Sequence, residues 1–140
     1  MGNRRAIGIG GVFFLSKDPE ASRAWYLQHL GLNNHPEWGT SFEWRQAPDG
    51  KTKGYTAWNP FPHDTDYFGE SGQQFMVNYR VVDLETLIES LRADGVEIAK
   101  EIESFDYGKF AHIVDGDGMR VELWEANDGE YEKIVENTTC

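Results

Sequence analysis

The sequence predicts an α+β fold built from two similar βαβββ modules, and three observations support this prediction. A β-rich apolar segment is followed by a helix signal twice along the chain. Each helix signal starts at an aspartate and ends at a glycine, at residues 18–31 and again at residues 83–95. Both halves then end in an Asp-Gly turn and a strand that carries a tryptophan, Trp58 or Trp124. The halves are offset by about 65 residues, so we predict one domain, residues 1–140, with an internal repeat.

Module one is predicted to span about residues 7–60. Residues 8–15 are apolar and β-rich, and residues 18–20 (Asp-Pro-Glu) have the features of a helix start, namely an N-cap, a proline at the first helical position and an acidic first turn. The apolar positions of this helix, including Trp25, keep helical spacing up to Gly31, so we expect Trp25 in the core. Two strands are predicted after the helix, at residues 38–45 and 54–59.

Module two follows a long connection. Residues 60–73 contain too much Pro, Gly and Asp for regular structure, and module two is predicted at about residues 74–126. Its first strand is followed by a helix with Asp83 as the predicted N-cap. Apolar residues recur on one face of this helix, at Leu84, Leu87, Ile88 and Leu91. For the acidic tail, residues 127–140, we expect a short helix around residues 130–136 that packs on the surface or frays.

Charge and composition exclude several kinds of partner. The formal net charge is -11 over 140 residues, which repels phosphate backbones and anionic lipid, so we predict neither nucleic-acid nor membrane partners. No apolar run approaches the ~20 residues of a membrane span. The single cysteine, Cys140, is the last residue, so no intramolecular disulfide is predicted and the expected compartment is the cytoplasm.

Four sequence motifs, taken in order, resemble the vicinal oxygen chelate superfamily, which includes glyoxalase I, bleomycin-resistance and fosfomycin-resistance proteins, and extradiol dioxygenases. They are Ser-Lys-Asp-Pro-Glu at 16–20, Trp-Tyr-Leu-Gln-His-Leu-Gly-Leu at 25–32, Tyr-Arg-Val-Val-Asp-Leu at 79–84 and Asp-Gly-Met-Arg-Val-Glu-Leu-Trp at 117–124. The resemblance implies that the two curved sheets form a cup with the helices outside and a small ligand within. It also implies a homodimer.

The resemblance further implies where metal ligands would lie. Metal-using members of the superfamily carry four ligands in the cup, and the corresponding positions in this chain are Gly11, Thr56, Met76 and Glu122. Only Glu122 is a usual ligand, whereas a divalent cation needs several converging oxygen or nitrogen donors. We therefore predict no metal and no other cofactor.

Glu122 is the central candidate for chemistry. In the alternating strand around it, Arg120, Glu122 and Trp124 share one face. Glu122 is interpreted in three ways: as a general base, as a binder of a positive group on a ligand, or as a solvated side chain paired with Arg120 or with a neighbouring strand. His112 shares its strand phase with Phe110 and is the candidate proton donor beside Glu122, the alternative being a rim histidine bonded to backbone or water.

The remaining candidates are residues predicted to line the cup. Asn78 and Arg80 on the first strand of module two are positioned to hold an anionic or carbonyl-bearing ligand, or Arg80 pairs with a neighbouring acid. Gly10 and Gly11 permit a bulge, close packing or room for a ligand. Aromatic side chains on a concave sheet face suit planar or cationic molecules. The predicted ligand-binding residues are Phe13, Trp44, Trp58, Asn78, Arg80, Tyr107, His112, Glu122 and Trp124.

Two functions follow from these candidates. The first is metal-independent binding of a small aromatic or cationic molecule in the cup. The second is a lyase or isomerase that abstracts a proton next to a carbonyl, with Glu122 as base and His112 or Arg80 stabilising the enolate. The missing ligand set and the aromatic face favour binding.

Overall fold

The computed structural model describes residues 6–135 and 138–139. Its elements, in chain order, are β1 (Ala6–Ser16), α1 (Pro19–Leu30), β2 (Thr40–Arg45), β3 (Lys53–Pro62), β4 (Phe75–Val81), α2 (Leu84–Ala93), β5 (Ile98–Phe105), β6 (Gly108–Val114), β7 (Arg120–Ala126), α3 (Asp128–Ile134) and β8 (Thr138–Thr139). The predicted α+β class is confirmed. None of the helices in this part of the chain is long and apolar enough to cross a membrane.

The strands form one continuous mixed sheet in the order β5-β6-β7-β4-β1-β3-β2-β8. The internal repeat is visible in the pairing, because the first and last strands of each module lie side by side and parallel, β1 with β3 and β4 with β7. The modules join where β1 pairs antiparallel with β4. Module one therefore contributes β1 to β3 to the sheet, module two contributes β4 to β7, and the tail contributes β8.

Module one is shorter than the βαβββ prediction. Within the described residues only β2 and β3 follow α1, whereas β5, β6 and β7 follow α2. The segment between α1 and β2 contains a single isolated bridge, His35 to Gly39. Pro36, next to His35, has no backbone N–H to donate to a ladder, which disfavours a further strand there.

Strand β1 is bulged at its glycines, which is one of the three interpretations of Gly10 and Gly11. The register of β1 against β4 shifts between Ile9 and Gly11, and again between Ala6 and Gly8. A side chain at Gly10 or Gly11 would collide with Asn78 or Phe13, so the glycines allow β4 and the aromatic side chains to approach the β1 backbone closely.

The core lies between α2 and the outer face of the sheet. Leu84, Leu87 and Ile88 are buried against Val81 and Leu123, as the i, i+3, i+4 spacing predicts. The expectation for Trp25 is wrong, because this side chain on α1 is 52 % exposed and α1 buries no residue. The apolar residues of α1 are spread around the helix rather than aligned in one stripe.

The helix starts differ between the modules. Asp18 caps α1 as predicted, accepting a hydrogen bond from Ala21 N at 3.1 Å. Asp83 does not cap α2, since it adopts a left-handed conformation (φ 48°) and its side chain accepts no capping bond. Instead Glu125 Oε1, on β7, accepts from Leu84 N at 2.8 Å. A carboxylate at this helix start thus comes from a neighbouring strand.

The tail has a larger role than the predicted surface packing or fraying. Its helix, α3, covers residues 128–134, and Tyr131 packs edge to face on Trp124 with ring centroids 4.9 Å apart. The Tyr131 hydroxyl bonds Ser41 Oγ at 2.7 Å. The tail therefore closes one side of the concave sheet face. Cys140 lies outside the described residues.

Candidate functional site

A cavity of about 360 Å³ lies on the concave face of the sheet. Its walls come from β1, β3, β4, β6 and β7 and from α3, so the sheet curls around it. The cavity is lined by Gly10, Phe13, Trp38, Ala57, Asn59, Phe61, Asn78, Tyr107, Phe110, Trp124, Tyr131, Ile134 and Val135. Most of this lining is aromatic, and its volume lies at the small end of the range for small-molecule sites.

Glu122 lies below the cavity floor as the centre of a buried polar cluster. It is only 2 % exposed. Its Oε1 accepts a hydrogen bond from Asn78 Nδ2 at 2.7 Å, and its Oε2 is shared by His112 Nε2 at 2.8 Å and the Tyr67 hydroxyl. The register explains part of this arrangement, because Asn78 and His112 lie directly opposite Glu122 on the two strands that flank β7. Three side chains thus converge on one carboxylate.

Arg120 completes the cluster from behind His112. Its Nη1 lies 3.5 Å from His112 Nδ1 and 3.4 Å from the Tyr67 carbonyl oxygen. A guanidinium can only donate, so this contact suits an unprotonated Nδ1, while a carboxylate can only accept and suits a proton on Nε2. Both neighbours are satisfied when Nε2 of His112 donates and Nδ1 accepts. Arg120 therefore contacts His112, and His112 contacts Glu122, in place of the predicted direct pairing of Arg120 with Glu122.

Tyr67 belongs to the connection between the modules, residues 60–73, where the sequence predicts no regular structure. Strand β3 in fact continues to Pro62, and Tyr67 follows it. Its hydroxyl bonds Glu122, and its ring meets His112 edge to face at 4.9 Å. Burial raises the pKa of the Tyr67 phenol, and the charge of Glu122 raises it further. Gln73 fixes this segment by bonding both the backbone N and the carbonyl of Arg120. The connection is therefore a wall of the site, and no spacing signal in the sequence indicates this.

Arg80 is committed to an ion pair within the fold. Its Nη2 donates to both carboxylate oxygens of Asp128 at 2.6 and 2.5 Å, and its Nη1 donates to the Tyr55 carbonyl at 3.0 Å. The guanidinium also lies 4.8 Å from the Trp124 ring centre. Of the two interpretations of Arg80, the pairing with an acid describes its contacts, and that acid comes from the tail.

The predicted site residues fall into three groups. Phe13, Asn78, Tyr107 and Trp124 line the cavity. His112 and Glu122 form the buried cluster beneath it, and His112 also borders a smaller polar pocket of about 160 Å³ near Lys100. Arg80, Trp44 and Trp58 lie outside the lining of the main cavity.

The two tryptophans from module one are placed differently from the prediction that they face the cup. Trp58 packs against Phe14 of β1 and Tyr26 of α1, on the helix side of the sheet. Trp44 donates from Nε1 to Thr56 Oγ1 at 2.8 Å and lies near Arg80. For Trp58 the reason is the alternation of side chains along β3. Ala57, Asn59 and Phe61 line the cavity, so Trp58 points to the opposite face of the sheet.

The cluster does not fit a metal ion. The register places Asn78, not Met76, opposite Glu122, and Met76 is fully buried. Both oxygens of Glu122 already accept from protein donors, and the Thr56 hydroxyl bonds Ile9 O. Among residues 6–135 and 138–139, no group of three His, Cys, Asp or Glu side chains could hold a metal. The donor set around Glu122 is that of a satisfied carboxylate, not of an open coordination site.

The sequence matches the family model of the Glyoxalase/Bleomycin resistance protein/Dioxygenase superfamily over residues 8–123. The chain belongs to this superfamily. The match spans most of both modules but ends before Trp124 and α3, and it confirms the resemblance that the four motifs indicate. No curated protein matches the sequence significantly.

Solved structures of the superfamily fold resemble this one at low sequence identity. Methylmalonyl-CoA epimerase from Mycobacterium tuberculosis is 22 % identical, with a TM-score of 0.57 over 89 % of this chain and 91 % of the other. A variant of the Streptomyces coelicolor epimerase in complex with 2-nitronate-propionyl-CoA is 14 % identical, with a TM-score of 0.63 over 85 % and 94 %. A Legionella pneumophila protein described as NAD-dependent benzaldehyde dehydrogenase is 15 % identical, with a TM-score of 0.51 over 81 % and 96 %. These similarities show a shared fold.

Proposed function

We propose that this protein binds a small planar aromatic molecule, neutral or cationic, in the concave cavity and needs no metal to do so. The observation that carries the proposal is the cavity itself, about 360 Å³ with a mostly aromatic wall. Phe110 and Trp124 stack with ring centroids 5.3 Å apart and planes 12° apart, which gives the wall a flat surface. Flat rings bury a large apolar area against such a surface.

The state of Glu122 supports binding over catalysis. A general base must reach the proton it abstracts. Glu122 is 2 % exposed and already accepts from Asn78, His112 and Tyr67. Its role in the proposal is to hold Asn78 and His112 in fixed orientations beneath the ligand.

Blocking the cavity tests the proposal. Ala57 lines the cavity, so Ala57→Leu should fill part of it and abolish the thermal stabilisation produced by a panel of bicyclic arenes such as naphthalene and indole. Ala93→Leu, on an exposed position of α2, is the matched control and should bind as the wild type does. If no arene stabilises the wild-type protein or changes its tryptophan fluorescence, the proposal fails.

A second candidate is a lyase or isomerase of the glyoxalase type, with Glu122 as the base. It is favoured by one observation, the contact of Glu122 with two groups that can carry a proton, His112 and Tyr67. In this scheme Tyr67 and its connection move away, and Glu122 takes a proton from a carbon next to a carbonyl. Exchange of such a proton with deuterated water, catalysed by the wild type and lost in Glu122→Gln, would support this candidate over simple binding.

A further inference from the structure

The side-chain amide of Asn78 is only half satisfied. Its Nδ2 donates to Glu122 Oε1 at 2.7 Å. Its Oδ1 is buried and has no hydrogen-bond partner in the part of the chain that the structure describes. The residue is 1 % exposed, and a buried acceptor without a donor destabilises a fold. An unmet acceptor at the floor of a cavity indicates that something else supplies the donor.

The orientation of this amide is fixed by its neighbour. The carboxylate of Glu122 can only accept hydrogen bonds, so the NH₂ group must face it and Oδ1 must face away. Tyr67 and His112 are both bonded to the other oxygen of Glu122, so a rotated Asn78 amide would find no free donor there. Asn78 therefore turns an acceptor, not a donor, towards Gly10 in the cavity wall.

Gly10 lets Asn78 Oδ1 lie directly against the β1 backbone. Gly10 and Asn78 both line the cavity. A Cβ at position 10 would collide with Asn78 Oδ1. The β1 bulge between Ile9 and Gly11 brings this glycine to the acceptor. The aromatic side chains of Phe13 and Trp124 flank the same region of the cavity.

We propose that the ligand of this cavity is an arene carrying an N–H or O–H donor, such as a hydroxyarene, an aminoarene or an indole, and that this group donates to Asn78 Oδ1. The inference rests on the proposed function and narrows its ligand class. It argues against carbonyl or carboxylate ligands at this position, because their oxygens would face Oδ1 and because Arg80 is paired with Asp128.

A pair of ligands of the same shape tests the inference on the wild-type protein. Indole and 1-benzothiophene are both flat bicyclic molecules, but only indole has an N–H donor. Indole should bind about tenfold more tightly, as measured by ligand-observed NMR titration and thermal shift. Equal affinities would overturn the inference and leave the proposed function standing. Failure of both to bind, together with the rest of the arene panel, would overturn both.

A glycine variant locates the effect. Gly10→Ala places a methyl group against Asn78 Oδ1 and should reduce the affinity ratio of indole to benzothiophene towards one. Gly116→Ala, at an exposed turn where an added methyl meets nothing within 4 Å, is the control and should keep the wild-type ratio. A Gly10→Ala protein that folds and keeps the full ratio would contradict the assignment to Asn78. If Gly10→Ala does not fold, the ligand pair on the wild-type protein decides.

Discussion

At the scale of single residues, the site depends on how Glu122 shares two oxygens among three donors. Asn78, His112 and Tyr67 come from β4, β6 and the connection, so one carboxylate links three segments that are distant in sequence. A buried carboxylate needs such donors, because an unpaired charge in the interior costs several kcal/mol. The same contacts keep the Asn78 amide in a single orientation.

Tyr67→Phe should destabilise the protein by about 1.5–3 kcal/mol, because it removes a hydrogen bond to a charged group. The pH dependence should change too. Burial raises the pKa of Tyr67 above its ordinary value of 10.0. The stabilisation contributed by protonated Tyr67 is fully present below about pH 10. It is lost as the pH rises, because Tyr67 releases its proton at lower pH in the unfolded state than in the folded state. Urea unfolding from about pH 8 to about pH 11, a range that brackets the ordinary pKa of tyrosine, measures both effects.

The control for this variant is Tyr26→Phe. The Tyr26 ring packs against Trp58 on the helix side of the sheet, away from Glu122. Tyr26→Phe should destabilise the protein less than Tyr67→Phe does, because it leaves the contacts of Glu122 intact. A Tyr67→Phe protein with the same alkaline slope as the wild type would show that the bond to Glu122 does not contribute.

At the scale of elements, α3 connects the tail to the floor of the cavity. It supplies the acid that neutralises Arg80, whose side chain is 3 % exposed, and the aromatic side chain that packs on Trp124. Arg80 and Trp124 are themselves opposite each other on β4 and β7. A seven-residue helix is marginal alone, so these tertiary contacts hold it in place.

Asp128→Ala should destabilise the protein by about 2–3 kcal/mol, because it leaves the buried Arg80 guanidinium without its partner. Glu101→Ala removes an acid from a pair in which both side chains are more than half exposed, Arg92 with Glu101, and should cost about 0–1 kcal/mol. Chemical denaturation of the two variants side by side measures the difference. Equal effects would mean that α3 is not anchored through Arg80.

The two long helices should respond very differently to truncation of a side chain. Ile88 on α2 is 4 % exposed in the core, and Ile88→Ala should cost about 2–5 kcal/mol. Leu27 on α1 is 53 % exposed, and Leu27→Ala should cost less than about 1 kcal/mol. Thermal unfolding tests this comparison, and similar losses for both variants would contradict the assignment of the core to α2.

At the scale of the whole molecule, the sheet is continuous through the β1–β4 pair, but the two modules bury their helices unequally. Trp25 and Leu30 on α1 are 52 % and 62 % exposed. Such side chains would bury apolar area if a second chain packed on α1. We propose that the chain forms a homodimer and that α1 contributes to its interface.

Sedimentation velocity tests the dimer. The wild-type protein should sediment as a dimer, and Trp25→Ser should shift the equilibrium towards monomer, because it removes a large apolar side chain from the proposed interface. Phe105→Ser replaces another exposed aromatic residue, 48 % exposed, on β5 and should leave the equilibrium unchanged. A monomeric wild-type protein over the accessible concentration range would contradict the proposal.

The sequence by itself determined the fold class, the repeat, the α2 core and the placement of Glu122 and His112 on strands of module two, because strand and helix periodicities are local signals. Only the tertiary structure decided which face Trp58 occupies, that Asn78 rather than Met76 lies opposite Glu122, and that Tyr67 and Asp128 enter the site. These features depend on strand register and on where irregular segments pack, and a register change of one residue reverses every side chain. Contacts between residues far apart in the chain leave no periodic signal.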